Sequence, residues 1–319
     1  MALADGGGTL AGYAAHTPEG RARAEALLGG DSSPDLVGLV DLDPDLYFLC
    51  VPDAAVPDVA RELGGVLASA RSEQPSTAEP AARPVVAHTS GGTSLRALDP
   101  CLQAGADTLV FHPLQTFTEP ASGRHRFKGV PIAITADSVG DASRAIAFGF
   151  ALAALLEAKP FYLKDEDRGL YHAAAAMACN HLVTLENAAL QMFVAAGLPT
   201  DEALSYFLPL VKTTLENISA QGPAAALTGP LSRGDTQTVA DHLSALHERM
   251  PHLLPLYRSL AVATLDLVHT RGDLDNSVLE SLAGLLESPV GKHGYRLPTD
   301  PATSNAPFQP TQQREGQQR

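Results

Sequence analysis

One stretch of the sequence, residues 165–196, most limits what this chain can fold into. It is rich in Ala and Leu, and neither Pro nor Gly interrupts it between Gly169 and Gly197, so it predicts one long helix. Before this stretch strand-like and helix-like segments alternate, whereas after it the periodic segments are helical. A helix at such a junction is expected to border a cleft between two domains, where ligand sites are common. His172 and Asn180 are therefore candidates for ligand contact, and they would lie about 80° apart around a regular helix.

Composition restricts the classes of protein to consider. The chain has 319 residues, enough for two domains, and its formal net charge of −14 argues against a nucleic-acid partner. No apolar run is long enough to cross a bilayer, and the N-terminus lacks the features of a signal peptide, so we expect a cytoplasmic protein without a membrane partner. Cys50, Cys101 and Cys179 lack metal-binding spacing and are expected to be buried free thiols.

Short apolar runs between turn residues predict the strands of a parallel sheet that is buried on both faces. These runs are residues 10–14, 46–51, 84–87, 108–111, 132–134 and 161–163, with helices or turns between them. The alternation predicts a doubly wound α/β domain over residues 1–163. Ligands bind beyond the carboxyl ends of strands in such sheets, and three predicted strands are followed there by Asp53, by His88 with Ser90, and by His112.

The second half of the chain is predicted to be all helical. Helices are expected over residues 200–220, 223–227, 236–249, 253–271 and 276–286, which gives a helical domain at residues 164–290. Residues 291–319 are rich in Pro, Gln and Thr without an apolar period, and they are predicted to form a disordered tail.

Several motifs occur in a characteristic order along the chain. They are Val51-Pro52-Asp53, His88-Thr89-Ser90-Gly91, His112-Pro113-Leu114-Gln115-Thr116-Phe117, Asp167-Arg168 followed by Tyr171-His172, Asn180, and Gly229 to Asp235. Together they resemble a family of oxidoreductases in which a Rossmann-like domain precedes a helical domain of unknown function 2520. The architecture is similar to that of ketopantoate reductase, pyrroline-carboxylate reductase, prephenate dehydrogenase and deazaflavin-dependent NADP reductases.

The resemblance implies a fold, a cofactor and a partner. The fold would be an N-terminal Rossmann-like doubly wound sheet, followed by an all-helical domain like the C-terminal domain of 6-phosphogluconate dehydrogenase. The cofactor would be NADP or NAD, with no metal. The partners would be a small-molecule substrate held between the domains and a second copy of the chain, paired through the helical domain.

The sequence departs from this family at two places. Members begin with a strand and a G-x-G-x-x-G turn that holds the pyrophosphate, whereas residues 10–14 here match the second strand of that fold. Either the start of the chain is misassigned or the phosphate cradle has been lost. Related reductases also carry a Lys one turn before the Asn that matches Asn180, and Ala176 occupies that position. A methyl group cannot transfer a proton, so a histidine is expected to act instead.

The resemblance assigns a role to each candidate site residue. His112-Pro113-Leu114 resembles the His-Pro-Met turn of prephenate-dehydrogenase-like enzymes, whose His handles the proton of the substrate hydroxyl. The full assignment is catalytic roles for His112, Ser90, His172 and Asn180, cofactor binding by His16, Thr17, Val51, Pro52, Asp53, His88 and Gly91, and substrate binding by Gln115, Tyr171 and Arg233.

Each assignment has a structural alternative. His112 and Ser90 could serve their turns, His88 could simply end its strand, Asn180 could bond to a neighbouring helix and Tyr171 could belong to the core. Arg233 could pair with Asp235 or Glu216, and Asp167-Arg168 is predicted to be an ion pair at the start of the helix.

The predicted function is hydride transfer to or from a small oxo or hydroxy acid, for which ketopantoate is one candidate. The alternative is a non-catalytic, dimeric binding or regulatory protein that has lost its cofactor. A hydrolytic metal site built from His88, His112 and His172 lacks the spacing of known metal motifs, so no metal is expected.

Overall fold

The computed structural model describes residues 7–29, 35–73, 83–117, 126–136 and 142–287, together with Leu3 and Ser33. The chain divides into two compact units, Met1–Leu182 and Val183–Arg319. The boundary expected between residues 163 and 164 stays a prediction. The predicted tail at residues 291–319 lies outside the described residues.

The first unit is built on a five-stranded sheet whose strand order follows the sequence. The strands are β1 (Leu46–Leu49), β2 (Val85–His88), β3 (Asp107–Pro113), β4 (Pro131–Thr135) and β5 (Lys159–Tyr162). β1, β2 and β3 are parallel, β4 is antiparallel to β3, and β5 is parallel to β4. The α/β class is therefore confirmed, but the described sheet is mixed rather than parallel throughout.

Helices cover both faces of this sheet. The helices of this unit are α1 (Pro18–Leu28), α2 (Leu36–Val40), α3 (Val56–Glu73), α4 (Asp99–Gln103), α5 (Ala142–Leu155) and α6 (Arg168–Ala176), with 3₁₀ turns at Asp53–Ala55, Leu95–Leu98 and Asp165–Asp167. Val86 of β2 packs in the cluster that contains α3 and α4, whereas Val85 and Ala87 pack in the cluster that contains α5. Because successive side chains of a strand point to opposite faces, burial on both sides accounts for the uninterrupted apolar runs.

The strand predicted at residues 10–14 is wrong. Only Tyr13 forms a bridge, and its carbonyl accepts a hydrogen bond from the Ser33 N–H at 2.8 Å. A strand exists only through pairing with a neighbour, and this segment is not one of the five paired strands. The helix predicted after it is confirmed at Pro18–Leu28, with Pro at its start and Thr17 as its N-cap.

The predicted long helix is present with a change of hydrogen-bonding pattern inside it. α6 passes into a π-helical turn at Met177–His181 and then into α7 (Leu182–Ala195). A π turn contains more residues than an α turn, so the offset of about 80° expected between His172 and Asn180 does not hold. Such turns occur often at functional sites.

The second unit is helical, as predicted. Its helices after α7 are α8 (Ala203–Gln221), α9 (Pro223–Ala226), α10 (Pro230–Arg233), α11 (Thr236–Arg249), α12 (Leu254–Arg271) and α13 (Asn276–Glu287). The short helix α10 lies where a loop was expected. Val239, Leu243, Leu265 and Leu282 belong to one core cluster formed by α11, α12 and α13.

Two further expectations concern single features of the described chain. None of the described helices is both long and apolar enough to cross a membrane. All three cysteines are free, but only Cys101 is buried, since Cys179 is partly buried and Cys50 is exposed beyond the end of β1. The expectation of three buried thiols is therefore wrong.

Candidate active site

The turn after β2 is held together by its own side chains. Ser90 Oγ accepts a hydrogen bond from the Thr93 N–H at 3.0 Å and donates one to Thr93 Oγ1 at 2.8 Å. The Ser90 N–H donates to His88 Nδ1 at 3.2 Å, and the His88 side chain is fully buried. His88 therefore reaches no ligand in this conformation, and the Ser90 hydroxyl stabilises the turn.

Arg168 links this turn to the end of β4. Its side chain is 1% exposed, and Nη1 donates to the carbonyls of Ser90 and Gly91 at 3.4 Å and 3.2 Å. Nη2 donates to Thr135 Oγ1, which in turn donates to the Leu163 carbonyl. The strand register explains why Thr135 and the β2 turn lie close enough for Arg168 to reach both. Thr135 at the end of antiparallel β4 lies opposite Val110 of β3, and His88 at the end of β2 lies opposite the same residue.

The charge partner of Arg168 is Asp165, which corrects the predicted pair with Asp167. Arg168 Nε lies 3.4 Å from Asp165 Oδ1, an ion-pair contact without hydrogen-bond geometry. Asp165 also accepts hydrogen bonds from Ser94 Oγ at 2.5 Å and from the Leu95 N–H at 2.8 Å. Burial raises the pKa of Asp165, but these hydrogen bonds and the Arg168 charge outweigh it and hold that pKa below its usual range.

His112 lies near the end of β3, which extends past the ends of β1 and β2. Its Nδ1 is 2.9 Å from the Tyr171 hydroxyl, and the two rings meet edge to face. Burial lowers the pKa of His112 to about 4, with smaller contributions from the charges of Arg168 and His172. The imidazole is therefore neutral at pH 7, and Tyr171 fixes its orientation.

His172 of α6 forms a cluster with His112 and Tyr171, and Gly91 lies against both histidines. The rings of His112 and His172 are 6.4 Å apart between centres. A Cβ added at Gly91 would lie 2.6 Å from His172 Nδ1 and 2.7 Å from His112 Nε2, which is closer than real Cβ atoms come. Glycine is thus the residue that allows both ring nitrogens to approach this point.

The other predicted residues lie outside this cluster in the described contacts. Thr17 Oγ1 accepts the Gly20 N–H as the cap of α1, and the neighbouring His16 is exposed. Gln115 is exposed, and its side-chain oxygen accepts the Thr116 N–H. Asn180 is an exposed residue of the π turn.

Four more predicted site residues lie after β1 and, in the second unit, at the end of α10. Val51 is partly buried, and Pro52 and Asp53 are exposed beyond β1. The Asp53 charge acts weakly on His112, raising its pKa against the larger lowering effects. Arg233 is exposed at the end of α10, and its predicted partner Asp235 caps α11 by accepting the Thr238 N–H at 3.0 Å.

Sequence reasoning missed the importance of Arg168. The signal that could have found it is the spacing Asp165-x-x-Arg168, which places a carboxylate one turn before a guanidinium. That spacing gives no information on burial, and surface pairs such as Asp58 and Arg61 share it.

The described residues around His112 and Gly91 fit the reacting ring of a nicotinamide cofactor, and they include no group that would hold its phosphates. The neutral imidazole of His112, a glycine against which a side chain would collide, and a strand-end turn suit a flat ring beside a small substrate. Among the described residues, no strand leads through a G-x-G-x-x-G turn into a helix to hold a pyrophosphate. Within the same residues, no three His, Cys, Asp or Glu side chains are grouped as metal ligands would be.

Comparison with known proteins identifies part of the chain. Residues 130–264 match the family model described as "Domain of unknown function (DUF2520)". Among solved structures, a candidate NADP oxidoreductase from Bacteroides fragilis is similar at 23% identity and a TM-score of 0.60, over 82% of this chain and 90% of its own. A protein from Thermotoga maritima is similar at 22% identity and a TM-score of 0.58, over 82% of this chain and 91% of its own.

A third similar structure is a 1-pyrroline-5-carboxylate reductase from Streptococcus pyogenes, at 15% identity and a TM-score of 0.50, over 89% of this chain and 93% of its own. No curated protein matches the sequence. At these identities the structural likeness shows the fold alone, which is that of distantly similar NAD(P)-dependent oxidoreductases. The resemblance found in the sequence is confirmed over residues 130–264, which match the DUF2520 family model.

Proposed function

We propose that this protein is an NAD(P)-dependent oxidoreductase that transfers hydride to or from a small oxo or hydroxy acid, with a ketopantoate-like compound as one substrate. The observation that carries the proposal is the neutral imidazole of His112, which Tyr171 orients beyond the carboxyl end of β3. Ligands bind at this edge of α/β sheets. A bound nicotinamide would supply the hydride chemistry.

His112 would move the proton that accompanies hydride transfer. With its Nδ1–H donated to the Tyr171 oxygen, the lone pair on Nε2 is free to accept a hydroxyl proton. A pKa held at about 4 keeps this lone pair available at pH 7, which favours the direction that oxidises an alcohol. Tyr171 would act as a positioning residue, because it holds the ring without contacting the reacting carbon.

Other residues would bind the cofactor and the substrate. Val51, Pro52, Asp53 and Gly91 follow β1 and β2 and are the proposed contacts of the nicotinamide. His16, Thr17 and His88 remain proposed cofactor residues from the resemblance alone, since His88 is enclosed and Thr17 caps α1. Catalytic roles for Ser90, His172 and Asn180, and substrate contacts by Gln115, Tyr171 and Arg233, remain proposals that rest on the resemblance.

We also propose a homodimer that pairs through the helical unit of a cytoplasmic protein. Large apolar side chains of α8 are exposed, with Tyr206 at 55%, Leu210 at 65% and Leu215 at 48%. Tyr206 and Leu210 are four residues apart and share one face of α8, and exposed apolar side chains that lie together are typical of protein interfaces. Leu210→Glu should convert the dimer to a monomer in sedimentation velocity, whereas Lys212→Glu on the same helix should not, and a monomeric unmodified chain would refute the proposal.

One observation favours the second candidate, a binding or regulatory protein without a cofactor. The described residues include no phosphate cradle, and the pyrophosphate carries most of the charge of a dinucleotide. The two candidates differ in whether the chain binds a nicotinamide at all.

Calorimetric titration of the full chain with NADPH and with NADH separates them. We expect saturable binding of one of the two at one site per chain. His112→Gln should keep that binding and lower kcat with NADP⁺ and a 2-hydroxy acid by about a hundredfold or more, because a general base is lost. His181→Gln, an exposed histidine beyond α6, is the matched control and should be active. Binding of neither nucleotide would reject the oxidoreductase and leave the binding protein.

A further inference from the structure

Two ring nitrogens of the candidate site lie close to one point. His112 Nε2 and His172 Nδ1 lie 2.7 Å and 2.6 Å from the position that a Cβ of residue 91 would occupy, so they are at most about 5.3 Å apart. Their ring centres are 6.4 Å apart, and a ring nitrogen lies little more than an ångström from its centre, so they are at least about 4 Å apart. No hydrogen bond joins them directly at such a separation.

This separation suits one oxygen atom between the two rings. Two hydrogen bonds of about 2.9 Å that meet at one tetrahedral oxygen place their nitrogens about 4.7 Å apart. Several positions around the line between the nitrogens satisfy both bonds, and those next to the Gly91 α-carbon are blocked. His172 and Gly92 are exposed, so a small ligand can reach the remaining positions from solvent.

The hydrogen-bonding roles of the two rings also complement each other. In the tautomer of His112 whose Nδ1–H donates to the Tyr171 oxygen, Nε2 accepts, while Nδ1 of His172 can carry a hydrogen and donate. A hydroxyl oxygen donates one hydrogen bond and accepts another, which matches this pair. A carboxylate oxygen only accepts and would leave His112 Nε2 without a donor.

We propose that His112 Nε2 and His172 Nδ1 form a clamp for a single alcohol oxygen of the ligand, with Gly91 as its floor. The clamp requires a ligand that carries a hydroxyl group, and a carboxylate near that hydroxyl comes from the proposed function. The identification of this oxygen as the reacting one rests on the proposed function, whereas the clamp itself requires no cofactor.

Imidazole nitrogen NMR of the full chain labelled with ¹⁵N-histidine tests the clamp without any nicotinamide. The probes are lactate and propionate, which share a carboxylate and differ in the hydroxyl. Lactate should shift the Nε2 signal of His112 and the Nδ1 signal of His172 together, and propionate should shift neither. Equal effects of the two acids, or a response of one ring alone, would overturn the proposal.

Two pairs of variants sharpen the test. His172→Asn should weaken lactate binding about tenfold, as expected for one lost hydrogen bond, whereas His181→Asn should leave it unchanged. Gly91→Ala should abolish the paired shift because its Cβ would push both rings away, while at Gly92 a Cβ meets His172 only at 3.3 Å and should be tolerated. A paired shift that survives in Gly91→Ala would refute the assigned geometry. A failed NADPH titration beside a positive lactate result would reject the oxidoreductase and keep the clamp.

Discussion

Replacement of Arg168 by Met tests whether this buried guanidinium holds the candidate site together. Arg168 donates to the carbonyls of Ser90 and Gly91 and to the Thr135 hydroxyl, and it lies beside the Asp165 carboxylate. Met has a similar length and no charge, so the substitution removes the donors while most of the packing remains.

The expected loss of unfolding free energy follows from the groups that Arg168 would leave without a hydrogen-bond donor. Ser90 and Gly91 are buried, and each carbonyl left without its donor costs about 1–3 kcal/mol. Asp165 is 29% exposed and keeps its bonds from Ser94 and Leu95, so loss of its ion pair adds about 1 kcal/mol or less. We therefore expect Arg168→Met to lower the free energy of unfolding by about 2–7 kcal/mol.

Arg61→Met is the matched control. Arg61 and Asp58 have the same spacing as Arg168 and Asp165, but their side chains are 69% and 76% exposed. The control should cost less than about 0.5 kcal/mol. Because the chain contains no Trp, urea unfolding is best followed by far-ultraviolet circular dichroism. A loss in Arg168→Met no larger than in Arg61→Met would refute the reasoning.

Two other predictions concern histidine titration and helix packing. Burial, with a smaller effect of the Arg168 charge, lowers the pKa values of His88 and His112 from 6.5 to about 4, so unfolding takes up protons as the pH falls through this window. The free energy of unfolding should decrease from pH 6.5 towards pH 4 by up to about 1.4 kcal/mol per pH unit for each histidine. In His112→Gln one of the two histidines is gone, so its urea midpoint should change with pH about half as steeply as that of the unmodified protein. A midpoint independent of pH would contradict these pKa values. On α3, a Cβ at Gly64 would meet the Pro100 main chain at 2.7 Å, so Gly64→Ala should cost about 1–3 kcal/mol. Gly65→Ala next to it meets nothing within 4 Å and should stabilise by about 0.5–1 kcal/mol, and similar thermal midpoints for the two variants would contradict this difference.

The parts of the fold that local chemistry determines could be predicted from the sequence. α1 starts with Pro18 and α11 is capped by Asp235, and both features are local because a cap acts within one turn. β2, β3 and β4 were found because burial on both faces requires continuous apolar runs. His88, Ser90 and His112 were located for the same reason, as the polar residues that follow such runs.

The remaining features depend on partners far along the chain. The antiparallel direction of β4 follows from its pairing with β3, and an apolar run such as Ile132–Ile134 carries no direction. The burial of Arg168 depends on carbonyls 77 and 78 positions away. The π turn at Met177–His181 differs from an α-helix only in which carbonyl each N–H bonds, and the composition of the segment does not reveal that choice.

The order of the strands in the sheet has a consequence for how the protein is made. Each strand pairs with the strand that precedes it in the sequence, so a ribosome releases the strands in the order in which they assemble. The sheet can then grow from one edge during synthesis, with each new pairing closing a single connection rather than a long one. The link from Arg168 back to the β2 turn must form after all five strands have emerged. The candidate active site is thus expected to be the last part of the first unit to take shape on the ribosome.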